Sequence, residues 1–393
     1  MTRHAYFATC APGLEPLLHA EVRKLRLARV EQQVGGVYFE GVAEDAWRAN
    51  LWLRSAIRVL QRVARFPAAD ERALYEGVSA LDWSRWLRPD GALRVSAQCS
   101  DSALSHSRFV EQRAKDAIVD QFRARVGSRP DVERDEPDLA LHVHLWRDRC
   151  TLSLDSSGRS LHKRGWRVFQ GRAPLSETLA AALVELSEWD GRAPLVDPFC
   201  GSGTLLIEAA LRQEGAAVGA LGAPFGFERW LGHDAAGYAR VKAAALAQRE
   251  RPAKRILLGL DVDPASLEGA RANAAAAGLD GRIRFELGDA REFAPQRGWN
   301  AVVLTNPPYG HRVGERAEDE GESAARPGDT SIEALEDLYR SFGTQLKKHC
   351  AGYGVHLLSG ERRLSSALGL APRRKLRLVN GALPCHLLSF DIR

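Results

Sequence analysis

The C-terminal part of the chain, from about residue 170 onward, alternates short apolar runs with helical segments. We expect strands at 194–199, 255–260, 283–287, 301–304 and 354–358, and an antiparallel hairpin at 376–392. Parallel neighbours in a sheet need a crossover connection, usually a helix, so this alternation predicts a mostly parallel sheet covered by helices. The carboxyl ends of such strands face one crevice, where ligands of open α/β sheets bind. Residues that follow each strand are therefore the candidates for a functional site.

The first 165 residues predict two smaller α+β units, 1–65 and 66–165, which precede a larger domain at 166–393. In the first unit we expect a helix from Leu14 to Leu25, a strand at 34–41 and a second helix from about Glu44 through Val59. In the second, apolar residues at helical spacing predict a helix at 108–125. Alternating apolar residues at 139–145, followed by 151–155, predict a hairpin.

Composition excludes several classes of protein. With 45% hydrophobic and 27% charged residues, the chain is typical of a globular protein rather than a disordered one. No apolar run approaches the roughly 18 residues needed to cross a bilayer, and the first residues lack the apolar core of a signal peptide, so we expect a cytoplasmic protein without a membrane partner. The six cysteines are scattered without metal-site spacing, and we expect no metal. The net charge of +5 is compatible with a polyanionic partner.

The first candidate site is the segment VDPFCGSGT at 196–204, where a buried strand ends in Asp197 and a glycine turn precedes an apolar helix. Gly201 and Gly203 would let a ligand approach the backbone, and the helix N-terminus presents free N–H groups. The third glycine of a dinucleotide-binding loop is replaced by Leu206, so the pattern fits nicotinamide dehydrogenases poorly.

Two further acids follow the next predicted strands. Asp261, in GLDVDP, could hold both ribose hydroxyls of a nucleoside cofactor, and Asp289, in GDA, could accept from an adenine amino group. A helical insertion at about 213–254 is expected between the strands that end at Asp197 and Asp261. Each acid alone could equally be a helix N-cap or a turn residue. Three in succession favour a shared binding crevice.

The segment LTNPPYG at 304–310 indicates the chemistry. Two prolines stiffen the backbone, so Asn306 would hold its side-chain oxygen beside the carbonyl of Pro307. Two acceptors so placed can bind the two hydrogens of an exocyclic amino group and direct the nitrogen lone pair at an electrophile. Tyr309 could stack on the ring of the target. A simple proline-bounded β-turn is the alternative explanation.

DPFCGSG, GLDVDP, GDA and NPPYG, in this order, resemble the motifs of class I S-adenosylmethionine-dependent methyltransferases. The stretches FATCAPGLEPLL, GGVYFEG, LYEGVSALDW, RFVEQRAKDAIVDQF, LHKRGWR and NGALPC resemble the THUMP-containing guanine-N2 methyltransferases of structured RNA, of the RlmL type. The resemblance implies a Rossmann-like catalytic domain at 166–393, preceded by a ferredoxin-like domain at 1–65 and an RNA-binding THUMP domain at 66–165.

The resemblance also implies roles for individual residues. Asp197, Gly201 and Gly203 would contact the methionine part of S-adenosylmethionine, with Glu177 nearby, and Asp261 the ribose. Asp289 and Ala290 would contact the adenine. The target base would be held by Asn306, Pro307 and Tyr309. The implied substrate is 23S rRNA or its precursor particle, with tRNA left open, and no metal takes part.

The sequence leaves several alternatives open. A DNA adenine-N6 methyltransferase would share the Asn-Pro-Pro-Tyr motif, and an RNA-binding assembly factor could retain a vestigial cofactor pocket. Many members of the family are fused to a second methyltransferase, and we expect the unfused form. The acidic segment 311–332 is either a lid that orders on RNA or a disordered insertion.

Overall fold

The structure is a computed structural model that describes residues 2–132, 135–171, 174–250, 255–296, 298–309 and 331–392. The predicted lid at 311–332 therefore lies outside the described residues, apart from its last two. The first part of the chain contains, in order, β1 (His4–Thr9), α1 (Glu15–Lys24), β2 (Ala28–Gln33), β3 (Gly36–Gly41), α2 (Ala43–Trp52), β4 (Arg58–Pro67), α3 (Glu71–Ser79), β5 (Ala92–Ser100), α4 (Ser107–Val126), β6 (Asp131–Val132), β7 (Leu139–Trp146) and β8 (Arg149–Asp155).

The second part continues with α5 (Glu177–Leu186), β9 (Leu195–Asp197), α6 (Thr204–Gln213), α7 (Ala235–Ala247), β10 (Leu257–Asp261), α8 (Pro264–Ala276), β11 (Arg284–Leu287), β12 (Val302–Thr305), α9 (Ile332–His349), β13 (Gly354–Ser359), α10 (Arg362–Ala367), β14 (Arg374–Asn380) and β15 (Leu383–Asp391). Short 3₁₀ turns occupy Trp83–Arg85, Val218–Leu221, Gly226–Arg229 and Ala290–Glu292. No helix within the described ranges is long and apolar enough to cross a membrane.

The chain forms two compact units. With the gaps given above, the first comprises residues up to 10, 15–161 and 217–247, and the second comprises 11–14, 162–216 and 248–393. The first unit contains an eight-stranded sheet in the order β2-β3-β1-β4-β8-β7-β5-β6. Strand β4 pairs with β1 on one side and with β8 on the other, so one continuous sheet runs through both predicted N-terminal domains.

The helix predicted from about Glu44 through Val59 is wrong in its second half. Helix α2 ends at Trp52, Leu53 is extended, and Val59 lies in β4. Apolar residues at 51, 53, 56, 59 and 60 match helical spacing, but Val59 and Leu60 are buried in the sheet between β1 and β8. Pairing with two neighbouring strands overrides the local pattern.

The predicted helical insertion at 213–254 exists, but residues 217–247 pack in the first unit rather than with the strands that flank them in sequence. An aromatic cluster holds this segment against α2. The rings of Phe227 and Tyr238 are 4.9 Å apart, and those of Trp47 and Tyr238 are 5.8 Å apart. Such pairs add about 0.5–1.5 kcal/mol each beyond the area that they bury. The catalytic domain expected at 166–393 therefore contains a segment that belongs, by its packing, to the N-terminal unit.

The second unit confirms the expected sheet. Its seven strands lie in the order β11-β10-β9-β12-β13-β15-β14, with β11 through β13 parallel and β14–β15 an antiparallel hairpin at the edge. Strand β9 is the middle one of the five parallel strands and is wholly buried. The order reverses at β9, because β10 and β12 lie on its two sides, and this is the switch point at which α/β sheets bind ligands.

Candidate active site

Adjacent parallel strands bring the predicted site residues to one edge of the second sheet. In register, Asp197 at the end of β9 lies beside Gly259 of β10. Asp261 ends β10 beside Leu287 of β11, and Thr305 ends β12, which pairs with β9. The sheet register therefore places the acids and the Asn-Pro-Pro-Tyr segment at the same edge.

The glycine loop between β9 and α6 needs glycine for its backbone. Gly201 has φ +48° and Gly203 has φ +79°, a region that side chains other than glycine rarely adopt. A Cβ on Gly203 would lie 3.0 Å from the Phe285 ring, whereas one on Gly201 would meet no described atom within 4 Å. The backbone N–H of Gly201 donates to Asp261 Oδ2 at 2.9 Å. The loop is thus fixed by Asp261 and keeps an open side at Gly201.

Asp197 is buried and connects two strand ends. Its Oδ1 accepts from the Thr305 hydroxyl at 2.6 Å and from the Phe199 backbone N–H at 3.1 Å. Burial raises the pKa of Asp197 to about 7, and the charge of Asp261 adds to the rise, while the hydrogen bonds from Thr305 and Phe199 oppose it. Asp197 therefore couples the glycine loop to the residue that precedes Asn306.

Asp261 retains capacity for a ligand. Its Oδ2 accepts from Gly201 and its Oδ1 accepts from the backbone N–H of Asp263 at 3.0 Å. Each carboxylate oxygen can accept two hydrogen bonds. The partly exposed carboxylate can therefore take one more donor on each oxygen.

Asp289 lies in a different environment. Its Oδ1 caps the 3₁₀ turn through the Arg291 N–H at 2.8 Å, and both oxygens accept from the Arg291 guanidinium at 2.5–3.0 Å. These bonds hold the pKa of Asp289 below its ordinary value. Ala290, the next residue, is buried. Asp289 thus has the N-cap role that the sequence left open, and the guanidinium occupies most of its acceptor sites.

The Asn-Pro-Pro-Tyr segment directly follows β12. Asn306 Oδ1 is buried and has no hydrogen-bond partner among the described residues. Within the same ranges the neighbouring carbonyl of Pro307 accepts no hydrogen bond, whereas the carbonyl of Pro308 accepts from the Tyr339 hydroxyl at 3.2 Å. A buried acceptor without a donor costs about 1–3 kcal/mol. The buried Asn306 oxygen therefore raises the free energy of the protein, and a ligand that donates a hydrogen bond to it would remove this penalty.

Tyr309 is half-buried and follows these acceptors in the chain. Its hydroxyl oxygen accepts from Asn380 Nδ2 at 2.7 Å, and burial raises its pKa above the ordinary value. The phenol therefore stays neutral at physiological pH, and its ring can stack on a planar ligand.

Glu177, the first residue of α5, is buried and pairs with Arg167 at 2.8 Å. The guanidinium of Arg167 also donates to Ser202 Oγ at 3.3 Å and to Thr204 Oγ1 at 3.1 Å. Glu177 therefore reaches the glycine loop through Arg167.

Sequence reasoning missed four residues that hold the site: Arg167, Asn273, Thr305 and Asn380. The buried Asn273 amide donates to the Ser202 carbonyl at 3.1 Å and accepts from the Val168 N–H at 2.8 Å. Arg167 and Asn380 lie in LHKRGWR and NGALPC, segments that carried the family resemblance without an assigned role.

Other chemistries find little support in the described part of the chain. No group of three or more His, Cys, Asp or Glu side chains there could hold a metal ion. The Cys200 thiol in the glycine loop is buried, and burial raises its pKa well above the ordinary value. A neutral, buried thiol is a poor nucleophile.

Three family profiles match successive parts of this chain. The RlmL ferredoxin-like domain matches residues 5–60, the THUMP domain matches 68–155, and the RMKL-like methyltransferase domain matches 164–321. The protein of Synechocystis named "Putative RNA methyltransferase slr0064" is 34% identical over 100% of this chain and 97% of its own length. This chain belongs to the RlmL-like THUMP-containing methyltransferases.

Further relatives agree with this family. The ribosomal RNA large subunit methyltransferase K/L of Methylococcus capsulatus is 40% identical over 100% of this chain and 52% of the relative. This chain thus spans about half the length of the curated K/L relatives that it matches. The crystal structure titled "SMU.472, a putative methyltransferase complexed with SAH" superposes with a TM-score of 0.86 at 30% identity, covering 100% of this chain and 99% of the other. The predicted fold, a Rossmann-like methyltransferase domain with ferredoxin-like and THUMP domains, is confirmed.

Proposed function

We propose that this chain transfers the methyl group of S-adenosylmethionine to the exocyclic N2 amine of a guanine in structured RNA, with 23S rRNA as the substrate. The observation that carries the proposal is the pair of acceptors at Asn306 Oδ1 and the Pro307 carbonyl. An exocyclic amine brings two N–H donors, which matches this pair. The buried Asn306 oxygen gains the hydrogen bond that it lacks.

The strand-end residues fit S-adenosylmethionine. Gly201 leaves its side of the loop open, and Asp261 has one acceptor site free on each oxygen for the two ribose hydroxyls. The N-terminus of α6 follows the loop. Asp289 and Ala290 lie at the next strand end, where the adenine would be held. The bound cofactor supplies an electrophilic methyl group on a sulfonium.

The residues of the chain act by positioning and electrostatics. Asn306 and Pro307 accept the two amine hydrogens and leave the nitrogen lone pair directed at the methyl group. The bond from the nitrogen to the methyl carbon would form as the bond from that carbon to the sulfonium sulfur breaks, with SAH as the leaving group. Positive charge that develops on the amine is stabilised by the same two oxygens, which are already fixed before the reaction, until one of the two amine protons is lost to solvent. Tyr309, neutral and held at its hydroxyl, stacks on the base. Because an in-line transfer needs no covalent bond to the enzyme, positioning supplies most of the rate enhancement.

The choice of an amine rather than a ring carbon has its own support. Methylation at a pyrimidine carbon uses a cysteine thiolate, and Cys200 in the glycine loop is buried with a raised pKa. The THUMP match at 68–155 supports RNA, and relatives named for large-subunit rRNA support that substrate. The assignment of guanine rather than adenine as the target base rests on the resemblance of the whole chain to the guanine-N2 methyltransferases.

Methyl transfer from labelled S-adenosylmethionine tests the proposal, with unmodified 23S rRNA, tRNA and DNA as separate substrates and the product nucleoside identified by mass spectrometry. We expect N2-methylguanosine in 23S rRNA, formed about 10³-fold more slowly by Asn306→Ala, the matched control. The same product in tRNA alone would overturn the rRNA assignment. N6-methyladenine in DNA would overturn both base and substrate, and no transfer to any RNA, including precursor particles, would favour the assembly-factor alternative.

A further inference from the structure

The edge hairpin β14–β15 contributes a side chain to the Asn-Pro-Pro-Tyr segment. Asn380, the last residue of β14, donates its Nδ2 to the Tyr309 hydroxyl oxygen at 2.7 Å. Asn380 is partly buried and pairs with Leu383 across the hairpin turn. The hydrogen bond joins residues 71 positions apart in the chain. The hairpin therefore contacts the Asn-Pro-Pro-Tyr segment in addition to forming the edge of the sheet.

Two other contacts fix the same segment. Gly360, which follows β13, lies against the Tyr309 ring, and a Cβ at this position would stand 3.0 Å from the ring carbon Cδ2. Tyr339, buried in α9, donates to the carbonyl of Pro308, one residue before Tyr309. The ring is therefore fixed at its backbone, along one side and at its hydroxyl.

The hydroxyl contact determines where the ring can point. A tyrosine ring swings about χ1 and χ2, and a hydrogen bond at its far end restricts both angles. Gly360 limits the approach of the ring on one side without making a directional bond. Asn380 is thus the group whose loss would free the ring most, while leaving the Asn306 and Pro307 acceptors in place.

We propose that Asn380 is a positioning residue that holds the Tyr309 ring in the orientation needed to receive the target base. The inference rests on the proposed function, because it assigns the stacking partner of the methylated base to Tyr309. In this proposal Asn380 has no direct contact with base or cofactor. It acts through the Tyr309 hydroxyl.

A double-mutant cycle tests the assignment. We expect Asn380→Ala to lower kcat/KM for RNA about fivefold, the loss typical of one hydrogen bond, with SAH affinity unchanged. Tyr309→Phe removes the same bond from the other side and should give a similar loss. In the Tyr309→Phe background, Asn380→Ala should then add less than about twofold.

A purely structural role in the hairpin turn would give another pattern. The losses from Asn380→Ala and Tyr309→Phe would then multiply in the double variant, and that result would overturn the inference. Lys375→Ala is the matched control, because this exposed residue lies in the same strand. It should leave kcat/KM unchanged, and an equal loss in Lys375→Ala would also overturn the assignment.

A conservative variant distinguishes a loss of positioning from a loss of folding. Asn380→Asp keeps a hydrogen-bond partner, with the Tyr309 hydroxyl now donating to a carboxylate, and should retain most of the activity when Asn380→Ala does not. Activity of Asn380→Asp as low as that of Asn380→Ala, with melting temperatures equal to wild type, would count against positioning. Failure of the proposed function is seen separately, since wild-type enzyme would then form no N2-methylguanosine.

Discussion

The two sides of the strand-end crevice place similar side chains in opposite environments. On the central side, at β9 and β12, Asp197 is 2% exposed, its pKa is raised to about 7, and its Oδ1 binds Thr305. On the outer side, at β10 and β11, Asp289 is paired with Arg291 and its pKa is lowered. The same residue type thus lies buried in a long-range hydrogen bond at one strand end and partly exposed, paired with a neighbouring arginine, at the other.

This contrast assigns different tasks to the two sides. On the central side Asp197 is buried and is fixed by the long-range hydrogen bond from Thr305. Thr305 immediately precedes Asn306 in the chain. On the outer side both carboxylates are partly exposed. Asp261 has unoccupied acceptor sites, and Asp289 is paired with the exposed guanidinium of Arg291. We therefore expect variants on the central side to change turnover and stability, and variants on the outer side to change cofactor affinity.

The largest effect should come from Asn306→Ala. Removing one of the two fixed acceptors should lower methyl transfer to RNA about 10³-fold, because that acceptor acts mainly on charge that develops during the reaction. The dissociation constant for SAH, measured by calorimetry, should stay within about twofold of wild type. Loss of both methyl transfer and SAH binding would indicate a structural role for Asn306. It would also contradict the expectation that variants on the central side leave cofactor affinity unchanged.

Asp261→Ala should have the next largest effect, on cofactor affinity. The variant removes the carboxylate that we assign to the ribose and also the acceptor of the Gly201 N–H, so SAH should bind more than about tenfold more weakly. Asp289→Ala should weaken binding less than about threefold, because Arg291 already occupies most of its acceptor sites. Calorimetric titration of the two variants side by side measures both, and the reverse order would contradict the assignment of ribose and adenine.

Asp197→Asn should change how stability depends on pH. The folded pKa of about 7 lies above the ordinary 3.8, so the folded state binds more protons between these values and wild-type stability falls as pH rises from about 4 to 7. Relative to Asp197→Asn, this fall is on the order of 4 kcal/mol. Urea unfolding of both proteins from pH 4 to 8 measures it.

Asp289→Asn is the control for that measurement. The folded pKa of Asp289 is lowered, so its contribution to stability is present above the ordinary value of 3.8 and is lost only as the pH falls below it. Wild type and Asp289→Asn should therefore run parallel between pH 4 and 8. A slope difference for Asp289→Asn, or parallel curves for Asp197→Asn, would show that the two environments do not differ as described.

The second sheet could be predicted well from the sequence because the signal for each strand lies in that strand and the residues directly after it. Each parallel strand there is a short apolar run that ends at a recognisable motif, and the order of motifs along the chain follows the sheet register. The failure at Val59 has a local origin as well. Apolar residues between 51 and 60 fit a helix as well as a strand, and only pairing with β1 and β8 decides between them.

The partners of the site residues could not be predicted in this way. The hydrogen bond from Thr305 to Asp197 spans 108 positions, and that from Asn380 to Tyr309 spans 71. Nothing in the local pattern of either residue identifies its partner. The same holds for the packing of 217–247, whose aromatic residues could have covered any apolar surface.

The packing of 217–247 within the first unit has a consequence for synthesis on the ribosome. The aromatic cluster around Trp47 requires Phe227 and Tyr238, so the N-terminal unit cannot complete its core until the chain has been made to about residue 247. By then β9 and α6 have already been translated, while β10 through β15 have not. The central strand of the catalytic sheet must therefore wait for its neighbours while the N-terminal unit closes, and the order of translation differs from the order in which the two cores can form.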